Sequence, residues 1–472
     1  MERAKLASRK RETGKDQTPD LPPGQRIGPD GHLLLGGCDA LGLAKEFGTP
    51  LYVVDEDVLR GRCREYAQAA RRHYPARPGV LPAYAGKAFL NLAMARLIEQ
   101  EGLALDVVSG GELQTALIAG FPPELIIFHG NNKTPDELRL GLEARVGRFV
   151  VESLEELELI EELAPRRRSA ARPKVLLRVT PGVQAHTHHH VATGVEDTKF
   201  GFTLRQGIAI EAARRAAASR RVALVGFAAH IGSQILEVEP ARLAATRMME
   251  FAAEVRDKTG FTASELDLGG GLGVRYTSAD DPPTADDYIG ASATTVRAEA
   301  KRLNLPLPRL IFEMGRHIVA EAGTTLYTVG GVKRIPGIRT YASVDGGMTD
   351  NPRLALYGAV YAAIVADRAN RAATRVYAIA GRNCESGDML IWRAKLPPLK
   401  AGDTLAVLCT GAYNYSMASH YNRVPNPAVV MVKDGRAEVI VRRETLVDII
   451  ANDVIPSRMA ASEVEAASGR GS

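Results

Sequence analysis

The sequence predicts a (β/α)8 barrel, TIM-like, joined to a mainly antiparallel β domain. Three features of the chain lead to this fold class. Eight short apolar runs alternate with stretches of helical period between residues 80 and 314. Those runs are mainly apolar instead of alternating regularly with polar residues. After about residue 320 the long helical stretches give way to short strand-like ones. Continuous apolar strands separated by helices make a parallel sheet covered on both faces, and eight such units close a barrel. A doubly wound open sheet is the alternative that shares this local pattern.

In chain order, residues 1–25 are expected to form a disordered extension. Residues 1–16 (MERAKLASRKRETGKD) are rich in charge and have no apolar period, so they cannot bury enough surface to order. No apolar h-region follows them, as a secretory signal would need. Residues 26–50 contain short apolar runs ahead of the barrel and are assigned to the β domain. The barrel is expected over 51–320, with strands at 80–85 (VLPAYA), 103–108, 125–129, 148–152, 174–179, 223–231, 265–269 and 309–314 (RLIFEM). Helices such as TPDELRLGLEA (134–144) and SLEELELIEELA (153–164) lie between them. After the first strand, Leu90, Ala93, Met94, Leu97 and Ile98 share one helix face. Residues 321–456 read as a C-terminal β domain. Within it, Asp434-Gly435 between two apolar runs signals a hairpin. Residues 457–472 are small and polar and read as a flexible tail.

With 472 residues the chain is long enough for two or three domains. Its 60 basic and 55 acidic residues leave a net charge of only +5, which gives no case for nucleic acid or an anionic membrane. No run of 18 apolar residues spans a membrane. The four cysteines (Cys38, Cys63, Cys384, Cys409) have no CxxC spacing. Neither a disulfide framework nor a zinc knuckle is expected, and a cytoplasmic location is the simplest.

Polar residues gather at or just past the strand ends, where barrel enzymes keep their chemistry: Lys87, Ser109, His129, Glu152, His230, the glycines from 269, Glu313 and Arg316. Lys87, in AYAGKAF, puts a primary amine at the first strand–helix joint. It is a surface charge if alone and a Schiff-base former in the right company. The run LDLGGGLGV (266–274) offers Gly269, Gly270 and Gly271, whose backbone can approach a phosphate closely or simply make a tight turn. The dinucleotide fingerprint fails at Val274, and the Walker A pattern fails at Leu81 and Ala88, so one phosphate fits better than a nucleotide. AAHIGSQI supplies His230 and Ser233, an imidazole able to stack on a ring and a hydroxyl able to hold a phosphate oxygen. FEMGRHIVA supplies Glu313, Gly315 and Arg316. A buried carboxylate keeps a ring nitrogen protonated, and an arginine fork holds a carboxylate or phosphate. The same pair could also be a structural ion pair. In the second half, NCESGD carries Cys384 and Glu385, DGGMTDNPRLALYG carries Arg353 and Tyr357, and GAYNYSM carries Tyr413. The histidines of AHTHHH (186–190) have no second cluster at ligand spacing, so no metal is expected.

Taken in order from about residue 35 to 450, these motifs resemble those of diaminopimelate decarboxylases, which belong to the alanine-racemase-like, fold type III pyridoxal phosphate enzymes. The resemblance implies pyridoxal 5'-phosphate as cofactor, a homodimer with shared active sites, and decarboxylation of meso-2,6-diaminopimelate to L-lysine and CO2. It implies that Lys87 carries the cofactor, His230 stacks on its ring and Glu313 pairs with the ring nitrogen. Ser233, Gly269, Gly270, Gly271, Gly315, Arg316 and Tyr413 would surround the phosphate. Arg316, Arg353, Tyr357, Glu385 and Tyr413 would hold the substrate. Cys384 would donate a proton in the partner subunit's site. Met314 and Leu354 stand where the family commonly has proline, and Arg382-Asn383 where an apolar pair is usual. A related decarboxylase or racemase with another substrate, or a non-catalytic binding protein on the same scaffold, remains the alternative.

Overall fold

The computed structural model describes residues 20–165, 171–183 and 198–459. Its first sheet closes on itself. Parallel strands Val80–Ala85, Ala104–Val107, Ile126–Phe128, Arg148–Val151, Lys174–Thr180, Ala223–Ala228, Glu265–Asp267 and Arg309–Met314 pair in sequence, and the last pairs with the first at Leu310↔Val80. A short extra strand, Phe202–Thr203, adds to Lys174–Thr180. Helices wrap the outside because each carries one apolar stripe. Helix Pro135–Ala144 starts where the sequence signals it, with Thr134 and Glu137 forming a capping box and Pro135 in the first turn.

The barrel interior is layered, because successive side chains of a strand point alternately in and out. At the bottom, Arg148 and Glu265 form a buried bidentate pair at 2.5 and 2.6 Å. Above it lies an apolar layer of Leu81, Ala83, Ala104, Ile127, Val150, Leu176, Ala228 and Ile311. Two residues further along the strands come Asp106, His129, Glu152, Arg178, His230 and Glu313. The apolar layer is the floor on which a polar layer stands.

The second sheet has the order Met389–Leu396, Arg375–Ala380, Arg339–Val344, Gly323–Ile335, Leu51–Asp55, Ala428–Lys433, Arg436–Val441, with Thr404–Val407 attached at Gly323–Ile335 and Ala363–Val365 attached to Thr404–Val407. It is mainly antiparallel. Only Arg339–Val344 with Arg375–Ala380, and Leu51–Asp55 with Ala428–Lys433, run parallel among the described strands. Asp434 and Gly435, both at positive φ, make the expected two-residue hairpin between Lys433 and Arg436.

Two domain limits move. Strand Leu51–Asp55 is hydrogen-bonded inside the second sheet, so the barrel's own elements begin at helix Glu56–His73 and not at residue 51. Its continuous apolar run (LYVVD) reads like a barrel strand because a central strand of the second sheet is equally buried. Residues 20–25 are also part of the fold. Leu21 packs on the core that Leu33, Leu35 and Leu43 share with Val53, Leu326 and Val430, and Gln25 opens strand Gln25–Ile27. Most of the expected extension and most of the expected tail, together with AHTHHH, lie outside the described residues.

Candidate active site

A cavity of about 470 Å³ opens over the polar layer, at the C-terminal ends of the barrel strands. Lys87, His129, Glu152, Arg178, His230, Ser233, Arg316, Arg353, Tyr357 and Tyr413 face it. Lys87 sits in the turn Gly86–Ala88 that follows the first strand, and its side chain is 41% exposed toward the cavity. Its Nζ lies 3.9 Å from Asp106 Oδ2. Burial works against the ammonium charge, but Asp106, Tyr413 and Glu313 outweigh it and the pKa is raised. Below, His129 Nε2 and Glu313 Oε1 are 2.7 Å apart. Burial opposes the Glu313 charge, yet His129 and Lys87 hold its carboxyl well below the usual range. Burial, then the neighbouring Glu313, pushes Asp267 the other way. Glu313 is therefore the carboxylate held ionised, beside an Asp267 whose charge burial and Glu313 oppose.

His230 ends the sixth strand's inward row. Burial, then Lys87 and Arg178, pushes its pKa far down, so the ring is neutral. Gly270 N–H donates to its Nδ1 at 3.3 Å, which leaves the proton on Nε2. Gly269 N–H donates to Asp267 Oδ1 at 2.8 Å. Two of the three expected phosphate glycines thus have protein acceptors for their N–H groups. Their lack of side chains is a packing matter: a Cβ on Gly270 would stand 2.1 Å from Glu313 O. Gly269 and Gly271 also have φ of +66° and +124°. Gly315 lets the first and eighth strand ends meet, since a Cβ there would lie 3.0 Å from that of Ala88.

Two guanidinium groups also line the cavity. Arg316 donates through Nε and Nη2 to Ser233 Oγ at 3.1 and 3.0 Å and through Nη1 to Tyr276 OH at 2.5 Å. Arg353 lies 5.2 Å from the Tyr357 ring and 5.3 Å from the Tyr413 ring, and its buried Nε has no hydrogen-bond partner. The two residues are 4% and 6% exposed, and among the described residues neither pairs with a carboxylate. An unpaired buried charge is costly. Among the described residues, this wall thus presents positive charge to the cavity with no carboxylate beside it.

Tyr413 reaches the cavity from the β domain. Its backbone, at a φ of +64°, donates to Ala88 O at 2.8 Å and so docks the 411–417 loop beside Lys87. Cys384 and Glu385 are exposed on the loop between Arg375–Ala380 and Met389–Leu396 and do not line this chain's cavity. Ser109 also stays out of it. Its hydroxyl accepts from Glu112 N–H at 3.2 Å and caps helix Gly110–Ile118.

A family model described as pyridoxal-dependent decarboxylase, pyridoxal binding domain, matches residues 60–320. The diaminopimelate decarboxylase of Bacillus subtilis is 49% identical over 424 residues, covering 90% of this chain and 95% of its own length. The chain belongs to the diaminopimelate decarboxylase family. The relative from Synechocystis sp. is 42% identical over 448 residues, with 93% and 94% covered. The solved structure of diaminopimelate decarboxylase from M. jannaschii in co-complex with L-lysine superposes with a TM-score of 0.85 at 35% identity, covering 93% of this chain and 99% of that one.

Pyridoxal phosphate is the family's cofactor, and the cavity fits it. Lys87 offers an amine, Arg316 and Ser233 offer an anion-binding corner, and Glu313 offers an ionised carboxylate at the floor. Three residues missed by motif reading also shape the site. Asp106 stands beneath Lys87. Arg178 donates to Glu152 Oε1 at 3.1 Å and lies 4.6 Å from the Phe200 ring, and Tyr276 steadies Arg316. The first two had a signal in the sequence: a single charge inside an otherwise apolar run, LALDVV and VLLRV.

Proposed function

We propose that this chain decarboxylates meso-2,6-diaminopimelate to L-lysine and CO2, the last step of lysine biosynthesis. The observation that carries this reading is the pair of buried guanidiniums of Arg316 and Arg353, without a carboxylate partner among the described residues, in a cavity that also presents Lys87. Two separate cations suit one phosphate and one substrate carboxylate remote from the reacting carbon. Decarboxylases of lysine or ornithine have no distal carboxylate to neutralise. Bound pyridoxal phosphate supplies an electron sink for the pair left when CO2 departs.

The chain's own residues do the rest. Lys87 is the amine that holds the cofactor. Ser233, Gly271, Gly315, Arg316 and Tyr413 receive the phosphate end, Gly269 and Gly270 only make room beside it because Asp267 and His230 already take their N–H groups, and His230 covers the ring as a neutral imidazole. Glu313 keeps the ring nitrogen protonated, because an anion beside it favours the charged form. Arg353 and Tyr357 orient the substrate by its far carboxylate, with Arg316 and Tyr413 beside them. Glu385 pairs with the distal ammonium. Cys384 delivers the proton to the α-carbon.

We also infer a cytoplasmic homodimer with shared sites. Cys384 and Glu385 are exposed on their own subunit, which suits a role in a neighbour's cavity. Exposed Leu446, Val447, Val454 and Ile455 supply apolar surface for a partner. All four cysteines are unpaired, and no helix among the described residues is long and apolar enough to cross a membrane. Cofactor-loaded protein is to be offered meso-diaminopimelate, L-lysine and L-ornithine, with CO2 release measured. Release from meso-diaminopimelate is expected to dominate. Faster release from either monocarboxylate would overturn the substrate assignment and leave the cofactor in place.

A further inference from the structure

Two loops of the β domain carry chemistry, and a single buried carboxylate joins them. Residues 345–353 bring Arg353 to the cavity, and residues 381–388 hold Cys384 and Glu385 outward. Asp388, 3% exposed, lies between the two. Its Oδ1 accepts from Met348 N–H at 2.6 Å, and its Oδ2 accepts from the N–H of Asn383, the residue before Cys384, at 2.7 Å. Arg382 N–H adds a backbone link to Gly346 O at 3.0 Å. Each loop leaves a glycine-sized space for this carboxylate. A Cβ on Gly347 would stand 2.5 Å from Asp388 Oδ1, and one on Gly381 would stand 2.3 Å from both oxygens. Neither glycine has a positive φ. Room for the carboxylate, not backbone twist, requires glycine at both positions.

We propose that Asp388 is a positioning residue that fixes the Arg353 loop and the Cys384 loop in one register, and so connects the two active sites of the dimer. The proposal rests on the shared-site reading given above. In that dimer Arg353 grips substrate in its own subunit, while Cys384 of the same subunit serves the other site. Charge-assisted bonds to backbone N–H groups hold geometry strongly. A displaced Asp388 would therefore be felt as weaker binding in one site and slower protonation in the other.

Hybrid dimers separate the two effects. A Lys87→Ala subunit is first paired with a Cys384→Ala subunit. The one site with an intact lysine then takes its cysteine from the Lys87→Ala subunit. Activity regained from two inactive parents establishes shared sites, and no activity removes both that reading and this proposal. With activity regained, Asp388→Asn is added to one subunit at a time. The amide keeps one acceptor and sets a donor against the other backbone N–H. The lost bond is worth about tenfold or more. On the Lys87→Ala subunit, Asp388→Asn is expected to lower kcat about tenfold or more with KM unchanged. On the subunit that retains Lys87 it is expected to raise KM by a similar factor, with little change in kcat. Equal effects in both arrangements, or none, would overturn the proposal. If Asp388→Asn does not yield a dimer, Gly381→Ala, which drives a Cβ into the same carboxylate, is judged by the same two readouts.

Discussion

Arg353→Met separates a binding role from a structural one. The methionine keeps an apolar stem between the Tyr357 and Tyr413 rings, 5.2 and 5.3 Å from the present guanidinium, and removes only the charge. With substrate bound, the guanidinium–carboxylate pair is buried, and removing one partner of such a pair costs ~3–5 kcal/mol. At ~1.4 kcal/mol per tenfold, kcat/KM for meso-diaminopimelate should fall by about two to three and a half powers of ten. The far carboxylate keeps its charge throughout the reaction, so ground and transition states lose equally and the loss should appear in KM. The substrate-free protein should respond in the opposite sense. Its Arg353 is a buried cation without a carboxylate partner among the described residues, so the methionine variant should melt no lower than the parent. Steady-state CO2 release and thermal melting of substrate-free protein measure the two quantities. A fall in kcat at constant KM, or a clear drop in Tm, would refute the assignment of Arg353 to the substrate's distal carboxylate.

Lys87→Ala should abolish turnover together with the visible absorbance of bound cofactor; retention of both would remove Lys87 from the site. Cys384→Ala should bind cofactor normally and lose turnover by several powers of ten if the thiol supplies the proton, and unchanged turnover would exclude it. Acid should weaken the fold through His317, which is buried with an unpartnered Nε2. Burial, then Arg62, lowers its pKa to about 4. The unfolded chain, near pH 6.5, takes up the proton first, so this stabilisation is whole above that pH. It is lost on acidification toward about pH 4, by up to ~3 kcal/mol. Denaturant unfolding at pH 7 and 4.5 reads it, and His317→Phe should flatten the difference.

Much of this architecture is legible in the residues. All eight barrel strands stand where apolar runs predict them, and 80–85 and 309–314 match at both ends. The other runs tend to overshoot at their C-terminal ends. Residues 223–231 are expected as strand and Ala223–Ala228 is observed, while 265–269 shortens to Glu265–Asp267. Apolarity reports burial, and burial continues past the last ladder bond where the chain turns to line the cavity. Asp106 and Arg178 were also accessible to period-two counting from Ala104 and Leu176. Tyr276 had no such signal. It follows the glycine run in an irregular segment, and only folding sets its hydroxyl against Arg316.

The sequence alone determined the local order: which runs are strands, where the hairpin turns, and which motifs in which succession mark the family. These follow from periodicity, turn chemistry and residue type, all local in the chain. The tertiary structure decided what those residues face. It buried Arg316 and Arg353 with no carboxylate partner among the described residues, directed Glu313 to His129, gave the N–H groups of Gly269 and Gly270 to protein acceptors, moved Leu51–Asp55 into the second sheet, and kept Cys384 out of its own cavity. Many of these partners are distant in the chain, His129 and Glu313 by 184 residues and Leu51–Asp55 and Gly323–Ile335 by more, and only the closed barrel and its docked β domain bring them within reach.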